Sequence, residues 1–191
     1  VAIDGTFAGY MSFVDEVRDE SRDTIGRLRA LAVPNIMMIT GDKPEVANLV
    51  ASSVGIYEVF AQCLPQDKLA VLKQVSREDR PLAMVGDGVN DAPTLAGSDV
   101  GIALGAKGST AASESAQVVI LEDDLARVAD AVAVSRHALS VAYLSIGVGI
   151  GCSVLLMLYA AAYGIPPITG ALMQEALDVV VILNALRARL S

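Results

Sequence analysis

Residues 84–93 read Met-Val-Gly-Asp-Gly-Val-Asn-Asp-Ala-Pro, and this stretch decides the fold. The apolar residues before Gly86 predict a buried strand, and two carboxylates and an amide leave its carboxyl end together: Asp87, Asn90 and Asp91. The glycines allow a tight turn and a close approach of the backbone to a ligand. The two aspartates are hard oxygen ligands of the kind that Mg²⁺ prefers beside a phosphate. A strand-to-helix turn with a capping aspartate would explain only part of this pattern.

Two further segments predict groups at the same edge of a sheet. The apolar run 36–39 ends in Thr40-Gly41-Asp42, and Lys68 opens a helical stretch that reaches residue 75. In a parallel α/β sheet, ligands bind at the carboxyl ends of the strands. A hydroxyl, a cation and two carboxylates around one phosphoryl group form the set that phosphoryl transfer requires.

The chain alternates predicted strands and helices between residues 35 and 137. Predicted strands are 36–39, 59–60, 82–85, 100–103 and 118–121, and predicted helices are 44–54, 68–75 and 128–137. Such alternation indicates an α/β fold with a parallel sheet covered by helices. Residues 1–33 predict a strand that carries Phe7 and Tyr10, followed by an amphipathic helix. The apolar stripe of that helix is Ile25, Leu28, Leu31 and Ala32.

Residues 138–174 contain no charged side chain, which predicts a membrane segment. Two spans at about 139–163 and 168–187 are long enough to cross a bilayer, which needs about 20 apolar residues. Gly147, Gly149 and Gly151 are of a kind common where membrane helices pack closely. Arginines precede the first span and follow the second, so both ends are expected on the cytoplasmic side. A pair of buried core helices is the alternative. The predicted domains are therefore 1–137, which is cytoplasmic, and 138–191 in the cell membrane.

The composition limits the classes of partner. The chain has 191 residues, 53% of them hydrophobic, a mean hydropathy of +0.52 and a net charge of -8. An acidic soluble region argues against nucleic acid as a partner. Cys63 and Cys152 lie in very different surroundings, so a disulfide framework is not expected.

Three motifs, in this order, resemble the phosphorylation domain of P-type ATPases: T-G-D at 40–42, P-x-D-K at 65–68 and G-D-G-x-N-D-A-P at 86–93. Further segments similar to that family are Asp-Glu-Val-Arg at 15–18, Ser-Asp-Val-Gly-Ile-Ala-Leu-Gly at 98–105 and Asn-Ala-Leu-Arg at 184–187, the last typical of the heavy-metal-transporting class. The resemblance covers nearly the whole chain. It implies a partial, Rossmann-like haloacid dehalogenase-type domain followed by a transmembrane hairpin.

The resemblance implies ATP-driven transport of a transition-metal cation through an aspartyl-phosphate intermediate, with Mg²⁺ as cofactor and ATP as substrate. The catalytic candidates are Thr40, Gly41, Asp42, Lys68, Asn90 and Asp91, and the cofactor-binding candidates are Gly86, Asp87 and Gly88. Asp87 is the first candidate for Mg²⁺ and Asp91 the second. For Asp42 and Asp91, a helix-capping role is the alternative.

Several parts of the family are not found in these residues, the phosphorylated aspartate among them. Residues 2–6, Ala-Ile-Asp-Gly-Thr, are similar to the D-x-D-G-T nucleophile signature of haloacid dehalogenases, but Ala2 has no carboxylate. The family's D-K-T-G-T aspartate, its actuator and nucleotide-binding domains and its earlier membrane helices are not in these residues. A covalent phosphoryl intermediate needs that nucleophile. We therefore expect a C-terminal piece that requires the preceding parts of the same polypeptide and is inactive alone.

The second membrane span carries Gln174, Glu175 and Asp178. Ionisable groups at membrane depth are usually functional, and Glu175 and Asp178 are spaced to share a helix face. Both are candidates for the transported ion, although Glu175 could instead reach the membrane interface. A carboxylate fits a divalent cation better than Cu(I). For Cys152 and Met157, packing is the expected role.

Two other functions remain open from the sequence. One is a soluble haloacid dehalogenase-type phosphatase in which residues 138–191 form a cap or tail. The other is a truncated, non-catalytic membrane protein. Ala2 and the two apolar spans argue against the phosphatase.

Overall fold

A computed structural model of the chain describes residues 1–10, 16–86, 89–105 and 110–189. The chain divides into two compact units, Val1–Val128 and Ala129–Ser191. The division falls within one long helix, and the boundary predicted from composition, after residue 137, lies further along the same helix. Asp15, the first residue of a motif used above, lies outside the described residues.

The first unit is built from short strands and helices. The strands are β1 (Ala2–Ile3), β2 (Thr6–Phe7), β3 (Met37–Ile39), β4 (Glu58–Phe60), β5 (Ala83–Gly86), β6 (Val100–Leu104) and β7 (Val118–Ile120). The helices are α1 (Ser21–Ala30), α2 (Pro44–Val54), α3 (Pro65–Gln74), α4 (Ala92–Gly97) and α5 (Thr110–Ser115). β3 and β4 pair in parallel, and β5, β6 and β7 form a second parallel sheet in that order. The predicted α/β class with parallel strands is confirmed.

Helix α3 begins at Pro65, earlier than the predicted start at Lys68. Proline is favoured in the first helical turn because its missing N–H has no partner to lose there. The Asp67 carboxylate accepts a hydrogen bond of 2.9 Å from the Leu64 amide, which is one half of a capping box. Lys68 therefore lies at the end of the first turn rather than at the helix start. The short helix α5 was not predicted.

The N-terminal strand prediction is wrong in extent. Ala2 pairs with Phe7 and Ile3 with Thr6 in an antiparallel hairpin, and Tyr10 lies beyond it. Asp4 and Gly5 form the turn with φ of 50° and 77°, the positive values that a two-residue hairpin turn requires. The strand-and-turn interpretation of residues 2–6 agrees with this geometry.

Two clusters form the core of the first unit. Ile25 of α1 packs with Ala51, Val54 and Ile56, and Leu95 of α4 packs on Ala103 of β6. Each fully buried large aliphatic side chain contributes about 1.5–3 kcal/mol. Helix α1 ends at Ala30, so Leu31 and Ala32 of the predicted stripe follow the helix instead of extending it.

The second unit contains most of α6 (Ala126–Tyr163) and all of α7 (Pro167–Ala185). Both helices are long and apolar enough to cross a membrane, with hydropathies of 2.2 and 1.4 in their most apolar windows. Only 6% and 0% of those windows are buried. Little of either window is therefore covered by other atoms of the described chain.

Candidate functional site

An ion pair joins α3 to the start of α4. The Lys68 ammonium lies 2.7 Å from Asp91 Oδ1, and the two side chains are 17% and 13% exposed. Charge-assisted hydrogen bonds of this kind are short and strong. A side chain at Gly97 would collide with Leu69, so the absence of one lets α3 and α4 pack closely beside the ion pair.

Gly86 makes room for Asp91 at the end of β5. A Cβ atom at Gly86 would lie 2.8 Å from Asp91 Cβ and 3.1 Å from Asp91 Oδ2. The predicted requirement for glycine therefore has a specific cause, the close approach of the Asp91 side chain. Asp91 is the residue before α4, but its carboxylate binds Lys68 rather than capping that helix.

The T-G-D turn is held by the Thr40 hydroxyl. Thr40 Oγ1 donates to Asp42 Oδ2 over 2.8 Å and accepts from the Asp42 amide over 3.1 Å. Helix α2 begins at Pro44 with Lys43 as the preceding cap residue. The Asp42 carboxylate is thus engaged by Thr40, and the capping alternative for Asp42 is not seen in the described part of the chain.

Backbone hydrogen bonds connect the T-G-D turn to the start of α3. The Cys63 amide donates to the Thr40 carbonyl and the Gln62 amide to the Asp42 carbonyl, each over 2.9 Å. Since α3 begins just after Cys63, the T-G-D turn is tied to the helix that carries Lys68. The structure therefore brings Lys68 and Asp91 together and Thr40 and Asp42 together, and it links these two pairs through one loop.

The remaining predicted residues lie nearby in the chain. Asn90 is exposed in a short 3-10 helix, Val89–Asp91. Gly41 has room for a side chain, since a Cβ there would lie 3.6 Å from the Cys63 carbonyl oxygen. Asp87 and Gly88 lie outside the described residues.

A second ion pair, which sequence reasoning missed, supports the start of β5. Arg80 Nη1 contacts both carboxylate oxygens of Asp99 at 2.8 and 2.7 Å, and the Leu82 amide donates to Asp99 Oδ2 over 2.8 Å. The Leu82 hydrogen bond, together with Arg80, holds the pKa of Asp99 below its usual value against the opposing effect of desolvation. The sequence feature that could have indicated this ion pair is Asp99 itself, an acidic residue directly before β6 in the Ser-Asp-Val-Gly motif.

A polar cluster lies between α6 and α7. Gln174 Nε2 donates to Ser153 Oγ and to Asp178 Oδ1, each over 3.0 Å. These three residues line a cleft of about 580 Å³ that Met157 also lines. Glu175 is exposed and is not one of the residues that line the cleft. Ser153 was not predicted, because its role depends on the register between the two helices.

The same helix pair has a second polar cross-link. Asn184 Nδ2 donates to Ser145 Oγ over 2.9 Å, and Ser145 is 4% exposed. Between the two cross-links, a Cβ at Gly149 would lie 3.4 Å from Val181. Gly147 and Gly151 would meet nothing within 4 Å, so of the three glycines only Gly149 meets the close-packing prediction.

No group of three or more His, Cys, Asp or Glu side chains is placed to hold a metal ion within the described ranges. This finding does not conflict with a Mg²⁺ site, because Mg²⁺ commonly takes one or two carboxylates and completes its shell with waters and substrate phosphates. Asp91 offers such a carboxylate, since Lys68 engages one of its two oxygens.

Comparison with known proteins shows the family to which the chain belongs. A model of the haloacid dehalogenase-like hydrolase family matches residues 1–99, more than half of the chain. The chain belongs to the haloacid dehalogenase-like hydrolase family.

Relatives of this haloacid dehalogenase-like chain are heavy-metal P-type ATPases. The manganese-exporting P-type ATPase of Mycobacterium tuberculosis is 38% identical over 187 residues, covering 98% of this chain and 26% of that protein. The cadmium-transporting ATPase of Staphylococcus aureus is 35% identical over the same share of this chain and 26% of its own length. The chain thus spans about a quarter of the length of these relatives, and the predicted resemblance is confirmed.

A solved structure agrees with the sequence relatives. The crystal structure of a zinc-transporting PIB-type ATPase superimposes with a TM-score of 0.78 at 29% identity. The match covers 90% of this chain and 28% of that chain. It therefore extends across most of both units, including residues in the apolar helices.

Proposed function

We propose that this chain supplies the magnesium and phosphate site and two membrane helices of an ATP-driven exporter of a divalent transition-metal cation. The observation that carries the proposal is the Lys68–Asp91 ion pair packed on Gly86, in a chain similar over 98% of its length to metal-exporting ATPases. The relatives' names cover manganese, zinc and cadmium, so they support a divalent cation without selecting one.

In this proposal Lys68 neutralises charge on the transferred phosphoryl group. Its ammonium group is held by Asp91, so little reorganisation is needed when the charge of the transition state develops. The Thr40 hydroxyl now donates to Asp42 Oδ2. When the phosphoryl group binds, this hydroxyl would donate to a phosphoryl oxygen instead. Gly41 and Asn90 are proposed to contact the same phosphoryl group, and the Asp42 amide to keep the Thr40 hydroxyl in place by donating to Thr40 Oγ1.

Mg²⁺ is proposed to bind through Asp87, with Asp91 as the second candidate and Gly86 and Gly88 allowing the backbone to approach. The ion would neutralise phosphoryl charge when bound. Asp91 Oδ1 would then bind Lys68, and Asp91 Oδ2, which lies against Gly86, would be the oxygen available to Mg²⁺.

The phosphorylated aspartate is proposed to lie outside these residues, in another part of the same polypeptide. Within the described part of the chain, β3 and β5 are the end strands of their two parallel sheets. An end strand presents unpaired N–H and C=O groups to which another strand can add. A strand carrying the aspartate could pair there, close to the T-G-D turn and to Gly86. On this proposal the present chain alone does not form the phosphoenzyme.

The second unit is proposed to cross the cell membrane twice, in contact with lipid, with residues 1–137 on the cytoplasmic side. Asp178 is the leading candidate ligand for the transported cation because it lines the cleft between the helices. Glu175, three residues earlier on α7, stays a second candidate. In this proposal ATP is the substrate, and the remaining domains of the polypeptide complete the transporter.

The test uses the native gene product in isolated membranes. We expect the protein to need detergent for extraction and to form an acid-stable phosphoenzyme from γ-labelled ATP only when Mg²⁺ and a transported cation are present. A protein that remains soluble without detergent and hydrolyses p-nitrophenyl phosphate would instead support the phosphatase. A membrane-bound protein with no phosphoenzyme under any cation would support the non-catalytic alternative.

A further inference from the structure

The cleft between α6 and α7 has a polar cross-link at each end. Ser145–Asn184 and Ser153–Gln174 are separated by about two helical turns, or about 12 Å, along α6. Gly149 lies between them and lets Val181 approach. Hydrogen bonds between membrane helices hold register, and small residues permit close packing. The cross-links therefore fix which residues of α6 face Gln174 and Asp178.

Gln174 uses both of its donors within this cleft. A glutamine amide has two N–H donors and one acceptor oxygen. One donor goes to Ser153 Oγ and the other to Asp178 Oδ1. The amide is consequently fixed by Ser153 on the opposite helix, and it in turn fixes the rotation of the Asp178 carboxylate. One carboxylate oxygen and the glutamine oxygen are left as acceptors.

We propose that Gln174 is the residue that positions Asp178 as a ligand for a hard divalent cation in this cleft, with Ser153 holding Gln174 in place. The inference rests on the proposed function and names its substrate class and a positioning residue. Oxygen donors suit hard cations such as Mn²⁺, whereas soft cations prefer thiolate and thioether ligands. The residues that line the cleft offer the side-chain oxygens of Ser145, Ser153, Gln174 and Asp178 and a single thioether, Met157.

A partner that orients a metal ligand has a measurable effect on metal affinity. Loss of such outer partners typically costs about 10–100-fold in metal affinity or activity. Without Gln174, the Asp178 carboxylate would lose the hydrogen bond that orients it and would have to be ordered by the cation itself. The expected change is therefore in the metal concentration needed for half-saturation, and not in the rate at saturating metal.

The experiment compares Gln174→Leu with the native gene product in detergent, using MnCl₂ as the probe. Gln174→Leu should raise the Mn²⁺ concentration for half-maximal phosphoenzyme formation by about 10–100-fold, with the same maximum. Ser153→Ala should shift it in the same direction, and Ser153→Thr, which keeps the hydroxyl, should restore the native value. Thr169→Val is the matched control, since Thr169 is a polar residue of α7 that does not line the cleft.

Direct Mn²⁺ binding to the purified protein, measured by equilibrium dialysis, separates this inference from the proposed function. A wild type that binds Mn²⁺ in a Gln174-dependent way but forms no phosphoenzyme would overturn the proposed function alone. Normal phosphoenzyme formation with an unchanged Mn²⁺ half-saturation in Gln174→Leu would overturn the inference alone. If Met157→Leu, and not Gln174→Leu, changes half-saturation with CdCl₂ and MnCl₂ alike, the site is a thioether site and the hard-cation proposal is wrong.

Discussion

The Lys68 ammonium group and the Asp91 carboxylate form an ion pair 2.7 Å long that is largely shielded from water. Asp91 also fills the space that a side chain on Gly86 would occupy. A pair of charges in such a position costs desolvation energy unless its geometry is good. Its value is therefore better explained by positioning than by stability, because it holds a cation at the edge of β5 where the phosphoryl group is proposed to bind.

Replacing Lys68 by alanine should reduce phosphoenzyme formation in the native gene product by about 10²–10³-fold, the usual loss when one preorganised group at a developing charge is removed. Asp91 would also lose its partner and keep an uncompensated, mostly buried charge. Labelled phosphoenzyme measured at saturating ATP checks this prediction. Lys73→Ala removes an exposed lysine from the same helix and should leave the yield unchanged; equal losses in both variants would contradict a specific role for Lys68.

Gly86→Ala tests the contact between β5 and Asp91. The new Cβ would meet Asp91 Cβ at 2.8 Å, so the carboxylate must move away from Lys68. A displacement of about 1 Å in a catalytic group can cost about 10²-fold in rate, and we expect a loss of that order in metal-stimulated ATP hydrolysis. Gly26→Ala, at an open position in α1, should retain activity and add about 0.5–1 kcal/mol of stability. A fully active Gly86→Ala protein would show that the close contact is not needed.

The extent to which sequence predicted the structure differs between local and tertiary features. The start of α2 at Pro44 follows from chain-local rules and was predicted, and the predicted strand end at residue 85 is one residue short of the observed end of β5 at Gly86. The partner of Lys68 was not, because it depends on how closely α3 packs on α4. Ser153 was missed for the same reason: a serine in an apolar helix acquires a role only when helix register places it opposite Gln174.

The two acidic residues of α7 should differ in their effect on transport. Both side chains are exposed, but Asp178 lines the cleft and accepts a hydrogen bond from Gln174, whereas Glu175 does not line the cleft. We expect Asp178→Asn to lose more metal-stimulated ATP hydrolysis than Glu175→Gln, because neutralising a ligand removes charge from the cation site itself. Titration of each variant with Mn²⁺, Zn²⁺ and Cd²⁺ checks the order. A larger loss in Glu175→Gln would make Glu175, and not Asp178, the carboxylate that the cation needs.

Asp99 should make the stability of the folded protein depend on pH in the acidic range. Its pKa is lowered in the folded state, first by the Leu82 amide and then by Arg80. A carboxyl group with a lowered folded pKa stabilises the fold fully above its unfolded value of 3.8, and this contribution is lost as the pH falls through the folded pKa. Thermal unfolding of the detergent-purified native protein should thus show Asp99→Asn less stable than wild type at neutral pH, with the difference narrowing below about pH 4.

Arg80→Gln provides the matched comparison for Asp99. Arg80 also donates to the Leu72 carbonyl over 3.0 Å, so its loss should lower the unfolding midpoint at every pH. Because the Leu82 amide is the largest single cause of the lowered Asp99 pKa, Arg80→Gln should keep part of the acid dependence that Asp99→Asn removes. If Arg80→Gln instead abolishes that dependence while Asp99 is intact, the guanidinium and not the backbone amide controls the carboxyl group.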